Sequence, residues 1–411
     1  MGDQDSGWRQ ALVDVLAASH LVTGDGLAEI LDAALAPLGV GIEMFLVDHE
    51  QRALHPVRPA VAAAVRIDGT LPGRAYRLNQ PLTGLDELGE RLLWVPLLDG
   101  VERYGLLRVT LPPGTDADDT ALHEDAVRMA ALIAHLISAK SVHSDTLACT
   151  RRTRRMSEAS ELLWQLLPPL TFGCEEMALS ALLEPAYEVG GDAFDYAVDG
   201  GVVHFSLLDP TGHDLSAGLT AAVTLAAGRG ARREGLDLRA VAARIDATLT
   251  AEFTDYRFVT GLLARLDLSS GRLRYVNCGH PPPVLLREGR QVRPLEGGGR
   301  PPLGRVAALL PDAAAVDAGQ EQLQPGDRLL LYSDGVIEAT DREGGEFGVE
   351  RLVELAERSA AAGLPAQETL RRLSHAVQEH QDGVLRDDAT LMLVEWSGRA
   401  AQRLVAHPGD R

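Results

Sequence analysis

The stretch VVHFSLLDPTGH, residues 202–213, decides the reading of the C-terminal half of the chain. It begins as a short apolar run, as a strand does, and the run ends on a carboxylate, Asp209. Three other segments repeat the arrangement: Gly190-Gly191-Asp192-Ala193-Phe194-Asp195, Tyr332-Ser333-Asp334-Gly335-Val336 and Arg386-Asp387-Asp388-Ala389-Thr390. In each, an aspartate stands at the edge of a hydrophobic strand, often beside glycine. Apolar flanks hold the backbone rigid, and glycine lets it turn tightly or come close to a bound group. A lone Asp-Gly is a turn signal far more often than a site. Four such segments in this order point to one shared centre.

Working outward, the sequence predicts a hairpin from Phe258–Leu268 and Leu273–Asn277 around the turn Ser269-Ser270-Gly271. A second turn, Glu288-Gly289-Arg290, separates Val284–Arg287 from Val292–Leu295. Arg328–Ser333 and Thr390–Trp396 read as buried strands. Helical patterns cover Leu215–Gly228, Leu236–Glu252, Val349–Ala361 and Ala366–Asp382. Hairpins with helices in separate blocks predict an α+β layered fold rather than alternating βαβ units.

The N-terminal part opens with a helical pattern over residues 8–36, with Leu12, Val15, Leu16, Ile30, Leu31 and Leu35 spaced by threes and fours. Strand-like runs follow at Gly41–Val47, Leu92–Leu97 and Tyr104–Leu111, the last two joined by Asp99-Gly100 as a hairpin. From Asp116, Leu122, Ala126, Met129, Ile133 and Leu136 keep a coiled-coil rhythm, and Met156, Ala159, Leu163 and Leu166 resume it. Pro168-Pro169 stops that helix. The spacing predicts a connecting helix over 116–167, packed either against its copy in a homodimer or on its own domain.

Short, hard carboxylates suit Mg²⁺ or Mn²⁺, which prefer oxygen ligands. Several such anions cannot share a small site without a cation, because like charges raise one another's pKa. Two cations a few ångströms apart can activate a water and clamp the oxygens of an in-line phosphoryl displacement.

Composition narrows the partners. Lys+Arg 39 against Asp+Glu 59 leaves a net charge of −20, which argues against nucleic acid and against an anionic membrane surface. Cys149, Cys174 and Cys278 are odd in number and far apart, so neither a disulfide framework nor a zinc set follows. The start, MGDQDSGWRQ, lacks a signal-peptide pattern, and no apolar run approaches the about 20 residues of a spanning helix. A soluble, cytoplasmic protein is expected.

Residues from about 160 to 398 resemble the metal-dependent protein phosphatase (PPM, protein phosphatase 2C-like) family in its bacterial SpoIIE/RsbU-like branch. The resemblance is carried by Leu163-Trp164-Gln165-Leu166-Leu167-Pro168-Pro169, Gly190-Gly191-Asp192 with Asp195, Phe258-Val259-Thr260, Asn277-Cys278-Gly279-His280-Pro281-Pro282, Pro302-Leu303-Gly304, Ser333-Asp334-Gly335 and Asp387-Asp388. It implies an α-β-β-α sandwich phosphatase domain over 168–398 that hydrolyses phosphoserine or phosphothreonine by direct water attack. It implies two Mn²⁺ or Mg²⁺ ions, with Asp192 on the first, Asp209 bridging, and Asp334 and Asp387 on the second. Asp388 is the less favoured alternative at that last position. Pro210 would lend its backbone carbonyl, which proline retains. The substrate implied for this branch is a phosphorylated anti-anti-sigma factor in a partner-switching circuit. Residues 1–140 resemble a GAF-type α/β sensor domain, which would admit a small-molecule or protein signal and regulate the phosphatase through the connecting helix. The tail, 399–411, reads as disordered.

Other features carry blander readings. The branch often has glycine after Gly212-His213; here Asp214 stands as a helix cap. Asp195 is equally a supporting acid or an ordinary surface residue. His213 is a candidate proton carrier, whereas His280, beside two prolines, reads as structural, with Asn277 and Gly279 shaping a turn. Cys149 and Arg155 fit the C-x5-R spacing of thiol phosphatases, but no glycine lies between them to build a phosphate cradle. Gly190–Phe194 echoes the diguanylate cyclase signature, although Ala193 stands where that chemistry needs an acid. A catalytically dead regulator on the same fold would be expected to have lost one of the four carboxylates.

Overall fold

The computed structural model describes every residue except 1, 86–88, 90, 185–186, 189, 213, 305–316, 384–386, 400 and 406–411. The chain divides into two compact units, Met1–Arg154 with Gln402–Arg411, and Arg155–Ala401.

In the first unit the helices are Gly2–Ser19 (α1), Leu27–Leu35 (α2), Leu71–Leu78 (α3), Thr120–Ser141 (α4) and Asp145–Thr150 (α5). The strands are Gly41–Val47 (β1), Ala53–Pro56 (β2), Val65–Arg66 (β3), Leu82–Leu85 (β4), Arg91–Asp99 (β5) and Glu102–Thr110 (β6). They form an antiparallel sheet in the order β3-β2-β1-β6-β5-β4. β1 and β5 are apolar on successive residues because both faces of the sheet are covered. Met44, Leu46, Leu93, Val95 and Leu107 pack with α1, α2 and α4. Phe45, Val47, Leu92, Trp94 and Leu106 face the other way, onto Ala75 and Tyr76 of α3. The β5–β6 hairpin turns through Gly100 as predicted. Gly105 of β6 has φ +152°, and a Cβ there would lie 1.9 Å from the carbonyl oxygen of Phe45, so only glycine lets β1 and β6 pair.

The single helix predicted over 116–167 is corrected to three. α4 ends at Ser141, Ser144 caps α5, and Ser157 caps a separate helix, Glu158–Leu166 (α6), in the second unit. Polar caps interrupt the rhythm, and between them the Arg151 guanidinium donates to the Val47 carbonyl while Arg154 pairs with Glu50. Ala126, Met129 and Ile133 of the expected seam are fully buried in the core of their own unit, so they are core positions and not a seam for a second copy. The disordered-tail reading is also corrected in part: Ala401–Arg403 is a 3₁₀ turn, and Leu404 is buried, its carbonyl accepting from the Asn79 amide at 3.1 Å. Residues 406–411 lie outside the described residues.

The second unit is a four-layer α-β-β-α sandwich. One sheet is built on Ala193–Asp199 (β9), Val202–Pro210 (β10), Phe258–Asp267 (β11) and Arg272–Cys278 (β12). The other runs Arg290–Pro294 (β14), Val284–Arg287 (β13), Asp327–Tyr332 (β18), Ala389–Trp396 (β19), Met177–Glu184 (β8) and Thr171–Cys174 (β7). Short strands Gly299–Arg300 (β15), Leu303–Gly304 (β16) and Gly319–Gln322 (β17) complete the first sheet. Between the sheets lie Leu179, Phe194, Leu207, Leu262, Leu331 and Met392. Helices Leu215–Arg233 (α7) and Leu238–Glu252 (α8), with α6, cover the outer face of the first sheet. Helices Val349–Ala361 and Ala366–His380 cover the second through Leu352, Leu370 and Leu373 against Leu330 and Leu391. Among the described residues no helix is long and apolar enough to cross a membrane.

Candidate metal centre

β9 and β10 are antiparallel neighbours, so the start of one lies beside the end of the other. The same holds for the start of β19 and the end of β18. Asp192 precedes β9, Asp209 is the penultimate residue of β10, Asp334 follows β18, and Asp387 and Asp388 precede β19. Both sheets therefore deliver their carboxylates at the same end of the sandwich. The proximity shows in the electrostatics. Burial first, then the charges of Asp209 and Asp388, hold the Asp192 carboxyl well above the usual carboxylate range. Burial and then Asp334 push Asp209 up to about 7, against a hydrogen bond from Thr260. Asp334 is raised by burial and by Asp387.

The five side chains have different neighbours. One oxygen of Asp388 accepts from the backbone N–H of Gly190 at 2.8 Å; the other accepts from Gly191 at 2.7 Å and Asp192 at 2.9 Å. Asp388 thus ties the start of β19 to the turn that presents Asp192. Even so, burial keeps its pKa above the ordinary value. Thr390 donates to the Asp192 carboxylate at 2.6 Å. Ser333 donates to the Asp388 carbonyl and accepts from the Thr390 N–H, closing the link between β18 and β19. A Cβ on Gly335 would lie 2.1 Å from that same carbonyl oxygen, so the Asp334-Gly335 pair needs its glycine for close approach. Across the first sheet Asp209 is in register with Thr260, whose hydroxyl lies 3.3 Å from the Asp209 carboxylate and 3.1 Å from Nδ1 of His280. Pro210 is the buried last residue of β10.

Among the described residues none of the five carboxylates has an ion pair with arginine, lysine or histidine. The fit to a hard cation rests on this: oxygen donors only, mutual repulsion, and no cationic side chain to relieve it. As they stand, no three acidic or other ligating side chains among the described residues converge closely enough to hold an ion. Their oxygens are turned to Thr390, Thr260, one another and the Gly190–Asp192 amides.

Other sequence candidates fall outside the cluster. Asp195 is buried and paired with Arg229 and Arg232 of α7 at 2.8 and 2.7 Å, a structural ion pair. Asp214 caps α7, accepting from the Ala217 N–H at 3.1 Å. His280 is buried and held low, at about 4, chiefly by burial. The Asn277 side chain spans its backbone, accepting from the His280 N–H and donating to the His280 carbonyl. Cys149 lies in α5, and Arg155 pairs with Glu158. His213 lies outside the described residues. The sequence reading missed Thr260, Ser333 and Thr390 as partners of the carboxylates. It also missed Glu338, whose carboxyl is raised by burial and then by Asp334.

The Stage II sporulation protein E (SpoIIE) family model matches residues 199–397, from the β9–β10 turn to the end of β19. The chain is 23% identical over 221 residues to "Phosphoserine phosphatase RsbU" of Bacillus subtilis (strain 168), covering 54% of this chain and 63% of that one. It is 25% identical over 171 residues to "Phosphoserine phosphatase RsbP" of the same organism, covering 40% and 41%. The chain therefore spans less than two thirds of the length of these relatives. Among solved structures, the RsbU and RsbW domains of Rv1364c from Mycobacterium tuberculosis match at 25% identity and a TM-score of 0.44, over 54% of this chain and 62% of that one. Residues 199–397, which carry Asp209, Asp334, Asp387 and Asp388 on the two sheets described, thus match the SpoIIE family of PP2C-like phosphatase domains.

Proposed function

We propose that the chain is a protein serine/threonine phosphatase that hydrolyses phosphoserine or phosphothreonine at the end of the sandwich where the five aspartates gather. The observation that carries this is the set of mutually repelling carboxylates, Asp192 and Asp388 buried and Asp209 and Asp334 half-buried, with no cationic side chain paired to them among the described residues. Asp192, Asp209, the Pro210 carbonyl, Asp334 and Asp387 would hold two divalent cations, Mg²⁺ or Mn²⁺. Bound there, these would supply the Lewis acidity that makes a water nucleophilic and offsets phosphate charge. Asp388 keeps the Gly190–Asp192 turn in place and so positions Asp192, which favours Asp387 as the ligand of the two. Thr390 and Thr260 orient the carboxylates of Asp192 and Asp209.

By likeness to RsbU and RsbP, both named phosphoserine phosphatases, the substrate would be a phosphorylated anti-anti-sigma-type protein in a partner-switching circuit. The first unit, a sheet with helices on both faces, would act as a GAF-like sensor that sets the phosphatase rate. The decisive experiment uses the purified full chain with Mn²⁺ and a phosphoserine peptide or para-nitrophenyl phosphate. Turnover should appear with metal, vanish in EDTA, and fall at least a hundredfold in Asp209→Ala and Asp334→Ala. Turnover that is absent with metal, or unchanged from wild type in both variants, would make the domain a binding module. Deleting residues 1–150 should change the rate; an unaltered rate would refute the sensor role.

A further inference from the structure

The far end of the same sheet carries a second feature that the carboxylate centre does not use. Strands β10, β11 and β12 place His204, Arg265 and Arg274 abreast, His204 opposite Arg265 and Arg265 opposite Arg274. Cross-strand partners share a face, and like charges set directly opposite destabilise a sheet. The side chains of Arg265 and Arg274 are exposed and make no hydrogen bond or ion pair among the described residues. The α7–α8 turn forms the other wall with Arg232 and Arg239, enclosing a cleft of about 610 Å³. Of the acids beside it, Asp195 pairs with Arg232, Asp317 with Arg239, and Asp237 accepts from the Ala240 N–H as the cap of α8, while the charge of the exposed Asp199 reaches His204. In a chain of net charge −20, Arg265 and Arg274 thus stand as two adjacent guanidinium groups without an ion-pair partner among the described residues.

We propose that this cleft docks an acidic segment of a partner protein. Neighbouring strands are about 4.8 Å apart, so the His204–Arg265–Arg274 row spans roughly 10 Å, wider than one phosphate. An extended segment repeats its same-face side chains about every 7 Å and sets successive carboxylates against separate arginines. Exposed guanidinium heads with free rotamers suit such charge-assisted, bidentate pairing. Burial, then Arg232 and Arg265, hold the imidazole of His204 below its ordinary value, so the arginines supply the charge at neutral pH. His204 lies five residues before Asp209 on β10, about 17 Å along the strand. Docking there leaves the carboxylate centre open, and it is independent of whether that centre is catalytic.

The test measures fluorescence anisotropy of a fluorescein-labelled peptide of alternating Glu and Gly on the full chain at low salt. Arg265→Glu/Arg274→Glu should weaken binding at least tenfold. The milder Arg265→Gln/Arg274→Gln should weaken it severalfold, and it decides the matter if the charge reversal unfolds the protein, as judged by circular dichroism. Arg290→Glu, on β14 of the other sheet, should leave binding unchanged. Equal affinity in the cleft variants and wild type, or equal loss in Arg290→Glu, would overturn the proposal. So would displacement of the peptide by millimolar inorganic phosphate at matched ionic strength, which would assign the cleft to a small oxyanion.

Discussion

Asp387 and Asp388 are adjacent, yet their surroundings predict opposite responses to the same substitution. Asp388→Asn keeps the shape of the side chain but leaves one oxygen where two served three N–H groups. At best the remaining oxygen keeps Gly191 and Asp192, and the new NH₂ then faces the buried Gly190 N–H. Losing a hydrogen bond to a charged acceptor costs about 1.5–3 kcal/mol. Part of that is offset, because burial and the Asp387 charge disfavour the ionised Asp388, and the amide carries no charge. The net loss is about 1–2 kcal/mol, which for a unit of this size lowers Tm by roughly 2–8 °C. Asp387→Asn removes a charge that raises Asp334 and Asp209, so without metal the variant should match wild type or exceed it in Tm. Differential scanning fluorimetry in EDTA and across a Mn²⁺ titration reads both effects. Asp388→Asn should melt lower in EDTA and retain most of the Mn²⁺-induced rise; Asp387→Asn should keep its Tm in EDTA and lose most of that rise. The reverse pattern, or an unchanged Tm for Asp388→Asn, would refute the division of labour between them.

Thr260→Val keeps the shape of the strand but removes the hydroxyl between Asp209 and His280, leaving Nδ1 of a buried imidazole without its partner. A stability loss of about 1–2 kcal/mol and a severalfold weaker Mn²⁺ midpoint are expected; a titration coincident with wild type would show that the contact positions nothing. For pH, an acid whose folded pKa is raised loses stability as pH climbs from its unfolded value toward the folded one. Asp209, pushed up to about 7, should thus make the metal-free protein progressively less stable than Asp209→Asn between pH 4 and 7, the gap staying constant above that. Paired melts in EDTA across that range check the sign, and a gap that narrows with rising pH would contradict it.

The sandwich was legible where an apolar run ended on a charged residue, as at Asp209, because a strand end and a site residue mark the same position. β8 escaped notice although every residue of Met177–Glu184 is buried: a continuous apolar run does not distinguish a strand from a helix segment. The rhythm of Leu122, Ala126, Met129 and Ile133 was real but ambiguous, since a helix lying on a sheet and a helix in a coiled coil bury the same stripe. Tertiary packing chose the sheet. In the candidate centre the carboxylates were readable from sequence, whereas Thr260 and Thr390 were not. Threonine in a strand is ordinary β-propensity, and its partner becomes visible only across a register or between two sheets. Arg265 and Arg274 likewise become a pair only once the β11–β12 register sets them opposite.

The acid cluster and its supports belong to one energetic design. Gathering Asp192, Asp209, Asp334, Asp387 and Asp388 at one end of the sandwich raises the free energy of the metal-free fold, as the elevated pKa values of Asp192, Asp209 and Asp334 express. Left to themselves, such charges would swing apart toward water. Three devices oppose that movement: the backbone amides of Gly190–Asp192 on Asp388, the Thr390 hydroxyl on Asp192, and the Thr260 hydroxyl on Asp209. Each stabilises a carboxylate in place without neutralising it, which a lysine or arginine would do. A cation entering the cluster then gains the repulsion that the fold has already withstood, and by linkage it stabilises the domain by the same amount. Substitutions should therefore sort by which side of this balance they touch. Removing a ligand charge relaxes the metal-free domain and abolishes most of the metal's effect, whereas removing a support lowers the metal-free stability and costs metal binding less.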